Sequence, residues 1–61
     1  MTDLEAEFHR LVDELKERDF SHREISDKLG KSQAYIGQKL RGDRPVTKID
    51  VLALRQLKSQ D

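Results

Sequence analysis

Three times in 61 residues a hydroxyl side chain is followed three positions later by an acid: Thr2 and Glu5, Ser21 and Glu24, Thr47 and Asp50. Such a pair caps a helix start reciprocally. The hydroxyl accepts from the third helical amide, and the acid accepts from the amide of the cap residue. Apolar residues flank two of the three caps, Phe20 with Ile25 and Val46 with Val51, at the spacing that clips the incoming chain onto the first turn. Gly30 and Gly42 supply stops, because glycine takes the left-handed conformation at helix ends, and Pro45 bars continuation. A chain punctuated this densely is confined to short helices, and no stretch sustains the period-two alternation of a strand.

The reading is all-α: a compact bundle of four short helices over about 3–18, 22–29, 33–41 and 48–58, forming a single domain across 1–61. Leu4, Phe8, Leu11 and Leu15 make the apolar stripe of the first helix, widened by Val12, with charges on the other face. Ser32 is the expected cap of the third helix, which carries Tyr35 where the others carry an acid, so its first turn has no carboxylate to repel a phosphate. In the fourth helix Ile49, Leu52, Ala53 and Leu57 share one face, and Val51 and Leu54 point elsewhere. The expected core is Phe8, Leu11, Leu15, Phe20, Ile25, Leu29, Ile36, Leu40, Ile49, Leu52 and Leu57. Met1 and residues 59–61 are expected to fray.

Size and composition exclude several function classes. A domain of this length buries only about 60% of its unfolded surface, too little to enclose a large substrate cavity. No apolar run approaches the roughly 18 residues of a membrane span. The acidic N-terminal segment lacks the basic-then-apolar order of a signal peptide, and the absence of Cys fits the expected cytoplasmic place, bacterial cytoplasm or nucleoid. With no Cys there is no thiolate nucleophile, disulfide or Cys-ligated zinc. His9 and Asp13 lie one turn apart, but two ligands on an acidic surface make a poor metal site, and Ser21 beside His22 is better used as a cap. No enzyme activity, metal, cofactor or small-molecule ligand is expected.

Net charge is zero, yet its distribution is uneven. Residues 1–19 hold seven acids against three bases, whereas from Lys31 to Lys48 five bases (Lys31, Lys39, Arg41, Arg44, Lys48) face one acid, Asp43. That asymmetry points to a polyanion partner. The basic stretch surrounds two short helices joined by a Gly-containing turn, a helix-turn-helix pattern. Ile25, Leu29, Ile36 and Leu40 take the inward slots, and the small residues Ser26 and Gly37 sit where the two helices cross closely. The outer face of the second helix then holds Gln33, Ala34, Gln38 and Arg41, with Tyr35 and Lys39 at its flanks. Gln bonds bidentately to adenine and Ala meets the thymine methyl, so this face has the chemistry of a major-groove reader. Ser32 reaches a phosphate or a base edge. Lys31, Tyr35, Lys39, Arg41, Arg44 and Lys48 are the candidate phosphate contacts, which give affinity and position rather than sequence choice.

Residues 22–41, HREISDKLGKSQAYIGQKLR, resemble the helix-turn-helix of the lambda-type phage repressors and Cro proteins, the wider class of xenobiotic-response-element-like regulators. Ile25, Leu29, Gly30 and Ile36 fill the hydrophobic and turn slots, and the likeness runs through Gln33 to Arg41-Gly42. The resemblance implies a bundle of four or five short helices covering nearly the whole chain. It also implies that His22 touches phosphate, that Ser32, Gln33, Ala34 and Gln38 face base edges, and that Arg41 and Arg44 hold the backbone. The chain departs from the pattern at Ser26, where Ala is usual, and at Lys31 and Lys39, where apolar residues are common; both lysines would have to point outward. GKSQAYIGQKLR is also similar to the helix-turn-helix of plasmid partition proteins of the ParB and KorB kind, which would make the chain a relative or fragment of a larger protein. The starting Met and the closure of four helices favour a complete small protein.

These readings lead to one expectation: a sequence-specific regulator that binds a double-stranded DNA operator as a homodimer and represses transcription, from a phage, plasmid or bacterial chromosome, with segment 33–41 in the major groove. A reader this small touches few base pairs, so two half-sites about one helical turn apart supply specific affinity. Val51 and Leu54, apolar and off the expected core face, are the candidate dimer interface. The alternative is a small helical protein-interaction module, an adaptor, antitoxin or anti-repressor without DNA binding of its own.

Overall fold

The computed structural model describes residues 2–60; Met1 and Asp61, two of the residues expected to fray, lie outside them. Four helices follow in order: α1 (Asp3–Glu17), α2 (His22–Lys28), α3 (Tyr35–Arg41) and α4 (Lys48–Lys58), with no strand among the described residues. The all-α bundle read from the sequence is the observed architecture.

Each of the three capping boxes forms. Thr2, Ser21 and Thr47 accept from the amides of Glu5, Glu24 and Asp50, and each acid returns a bond to the cap amide. Stops form as well. The Lys31 and Gly30 amides donate to the Ser26 and Asp27 carbonyls, with Gly30 at φ 72°, and the Asp43 and Gly42 amides repeat the pattern on Gln38 and Lys39, with Gly42 at φ 82°. At the end of α1 the same left-handed position falls to Asp19, φ 69°, a conformation that a side-chain-bearing residue adopts at some expense.

α1 packs chiefly on α4, α2 packs on α3, and α1 also touches α2. The core between them is Phe8, Leu11, Val12, Leu15, Ile25, Ile36, Val51 and Leu54. Leu4, Phe20, Leu29, Tyr35, Leu40, Val46 and Leu57 pack around it half-buried. Burying each large aliphatic or aromatic side chain here stabilises by about 1.5–3 kcal/mol. Across the α1–α4 seam Arg55 pairs with Glu7, and Lys58 with Glu14 at 2.8 Å. Exposed pairs of this kind add little to stability, since water and salt screen them.

Two expectations are corrected. α4 is turned the other way: Val51 and Leu54, expected on the surface, are 3% and 0% exposed, whereas Ile49 and Leu52, expected in the core, are 76% and 49% exposed. Val46, just before the Thr47 cap, packs half-buried against the same core, as an apolar residue flanking a cap does when its partner Val51 faces inward, and Leu54, three residues on, shares that face. Accordingly Val51 and Leu54 cannot be a dimer interface, since both lie inside the chain's own core. Secondly, α3 starts at Tyr35 rather than 33, and no side chain caps it. The Ser32 carbonyl accepts from the Tyr35 amide in a turn, so Ser32, Gln33 and Ala34 precede the helix.

Candidate nucleic-acid interface

What fixes α3 against α2 is Ser26. Fully buried, its hydroxyl donates to the His22 carbonyl at 3.0 Å and accepts from the Ile36 amide at 3.4 Å. The hydroxyl thus satisfies an amide at the start of α3 that no local cap reaches, from ten residues away in sequence. An Ala there would pack equally well but leave that amide without a partner. Gly37 is not needed for a close crossing: a Cβ added there would meet only the Arg41 guanidinium, at 3.4 Å.

α4 is joined to α3 through Asp50. Its carboxylate accepts from Lys39 Nζ at 2.8 Å, from the Tyr35 hydroxyl, and from both the Thr47 amide (2.8 Å) and hydroxyl (3.0 Å). Burial pushes the Asp50 carboxyl up, but the bonds from Lys39, Tyr35 and Thr47 outweigh it and hold the group down at about 2. The same contact drives the Tyr35 hydroxyl well above the ordinary phenol range, burial first and the Asp50 charge with it. Lys39 also donates to the Pro45 carbonyl at 2.8 Å, so one ammonium ties α3, the 42–47 loop and α4 together.

That network corrects two phosphate contacts expected from the sequence. Lys39 does not point outward; its side chain is 11% exposed and its charge is matched by Asp50. Tyr35 directs its hydroxyl to the same carboxylate, and its ring lies under the ammonium groups of Lys31 and Lys39 at 5.8 and 5.5 Å.

The remaining candidates are distributed as follows. Lys31, Ser32, Gln38 and Arg44 line one open depression beside α3, with Tyr35, Lys39 and Asp50 at its floor. Gln33, Ala34, Arg41 and Lys48 are exposed. Arg41 Nε reaches Asp43 at 3.2 Å, both well solvated. Lys31, Arg44 and Lys48 make no ion pair among the described residues. His22, half-buried at the start of α2, is held below its ordinary pKa by burial and by Lys16.

Three residues with a part here were not singled out as site residues in the sequence. Asp50 was legible only as a cap. Ser26 was legible only as a small residue. Arg23, on α2, meets Gln33: with the amide oxygen of Gln33 turned toward it, that oxygen accepts from Arg23 Nε at 3.1 Å and Nη2 at 2.9 Å. No spacing rule signals a contact between residues ten apart across a turn.

Among the described residues no group of three or more His, Cys, Asp or Glu could hold a metal ion, and no helix is long and apolar enough to cross a membrane. Comparison with known proteins returns no match, whether to family models, to curated proteins or to solved structures.

Proposed function

We propose that this chain is a sequence-specific duplex-DNA-binding regulator that presents the α2–turn–α3 unit, a helix-turn-helix, to the major groove. One observation carries the reading: Lys31, Ser32, Gln38 and Arg44 converge on a single open depression beside α3 whose only acid, Asp50, is already neutralised by Lys39. A cationic surface without a competing carboxylate attracts phosphates, while amide and hydroxyl groups at its edge read bases. On α4, by contrast, Arg55 and Lys58 are matched internally, by Glu7 and Glu14. In this reading Lys31, Arg41, Arg44 and Lys48 hold the backbone, and Ser32, Gln33, Ala34 and Gln38 face base edges.

The reading includes a homodimer acting as a repressor. Its contact surface moves from Val51 and Leu54 to Ile49 and Leu52, the large apolar side chains that the core leaves exposed. A second copy is the occupant that two half-sites on one operator would require. The same two residues favour the rival reading, a protein-interaction module without DNA binding.

Fluorescence anisotropy of a labelled random duplex separates the two. Four cationic phosphate contacts per chain give a slope near −4 in log affinity against log salt, or roughly a hundredfold loss between about 50 and 200 mM. A chain that leaves the duplex unbound at low salt is the interaction module instead.

A further inference from the structure

We infer that Arg23 sets the base preference of Gln33, converting its amide from an adenine reader into a donor-only group that selects guanine. The inference rests on the DNA-binding reading above. It starts from the Arg23–Gln33 contact: with the Gln33 amide turned so that its oxygen, rather than its nitrogen, meets the guanidinium, two N–H groups on one edge of Arg23 converge on that oxygen, at 3.1 and 2.9 Å.

An amide oxygen has two lone pairs. Two donors from one guanidinium edge engage both, and the oxygen is thereby withdrawn from any further partner. The free end of Gln33 is then its NH2 group, which offers two donors and no acceptor. Both side chains are exposed, and they share an open hollow with Glu24, Asp27 and Lys31, so a base edge has access to the NH2 group.

Bidentate recognition of adenine needs an acceptor for its N6 amino group as well as a donor to N7. With the oxygen held by Arg23 that pairing fails, and the Gln33 NH2 group would face the adenine amino group donor to donor. Guanine instead offers two acceptors in the major groove, N7 and O6, which suit an NH2 group with both hydrogens free. The fixed positive charge of Arg23 behind the amide favours the same acceptor-rich edge. Arg23 is therefore a positioning residue: it acts on the base through Gln33.

The test has two arms. In the free protein, nuclear magnetic resonance follows the Gln33 side-chain NH2 signals. Arg23→Ala should move them, because the amide oxygen loses its two donors; unmoved signals overturn the pairing without reference to DNA. In the second arm, binding sites are selected from a random duplex pool by the wild-type chain, Gln33→Ala and Arg23→Ala, with each variant's fold checked by circular dichroism. The position whose preference disappears in Gln33→Ala should be guanine for the wild type. It should shift toward adenine in Arg23→Ala, by on the order of ten- to a hundredfold in relative affinity. An adenine preference already present in the wild type, or a guanine preference unchanged in Arg23→Ala, overturns the inference while leaving DNA binding intact. Failure of all three chains to enrich any sequence overturns the DNA-binding reading instead, and the specificity inference with it.

Discussion

Replacing Asp50 by Asn keeps the shape of the side chain and removes its charge. Lys39 would then sit 11% exposed with no counterion, and Tyr35 would lose a charged acceptor. The size of the effect follows from the carboxyl pKa, about 2 in the fold against an ordinary 3.8. That difference corresponds to about 2 kcal/mol at neutral pH. A folded pKa below the unfolded one contributes stability that is complete above about pH 4 and is lost as pH falls through about 2. A domain of this size has roughly 3–9 kcal/mol in total, so Asp50→Asn removes a large fraction. Urea denaturation of both chains from about pH 7 down to about pH 2 provides the assay. The gap between them should be at least 2 kcal/mol at neutral pH and should close toward the acid end, where the wild-type carboxyl is protonated too. A gap below about 0.5 kcal/mol, the range of ordinary surface substitutions, would refute the reasoning, as would a gap that ignores pH. Lys39→Met, which removes the buried ammonium and keeps its aliphatic bulk, should cost less than Asp50→Asn, because Asp50 retains Tyr35 and Thr47.

Further expectations follow from the same geometry. Leu54→Ala should cost about 2–5 kcal/mol in a urea melt, whereas Leu52→Ala should change stability by about 0.5 kcal/mol or less. Asp19→Gly should raise stability by up to about 1 kcal/mol by relieving the left-handed strain at the end of α1, read as a higher denaturation midpoint. Because His22 is depressed below its ordinary pKa by burial and Lys16, part of the stability should fade as pH drops below about 6.5, and His22→Gln should flatten that segment of the pH profile. Arg44→Ala should weaken binding to all duplexes alike and reduce the salt slope by about one, and Leu52→Glu should shift a sedimenting dimer to monomer without unfolding it.

Most of the helical framework could be read from local chemistry. Thr2, Ser21 and Thr47 with their acids marked three starts, and Gly30 and Gly42 marked stops, because capping is decided within four residues. The phase of α4 was not decided by its own pattern: Ile49, Val51, Leu52, Ala53, Leu54 and Leu57 leave two apolar faces of similar width. The deciding signal was present in the Val46–Val51 clip, which marks the inward side and reverses the face chosen from periodicity. The start of α3, unlike its end, is hidden for the opposite reason. Its first turn is held by Ser26 from a neighbouring helix, and a tertiary partner leaves no local mark on Ser32 or Gln33. At the site, the cations of 31–48 were legible as a group but not individually. Lys39 and Tyr35 turn to Asp50 because an inward-facing carboxylate must be matched, and only the reversed α4 brings it inward.

Central to this reading is that the exposed side of the 31–44 segment meets DNA. A titration of labelled protein with a duplex, followed residue by residue through its amide signals, tests this most directly. The expected result is a footprint on Lys31 through Ala34, Gln38, Arg41, Arg44 and Lys48, with the outer face of α1 silent. A footprint centred on α1 or on Ile49 and Leu52, or no change at low salt, would contradict it.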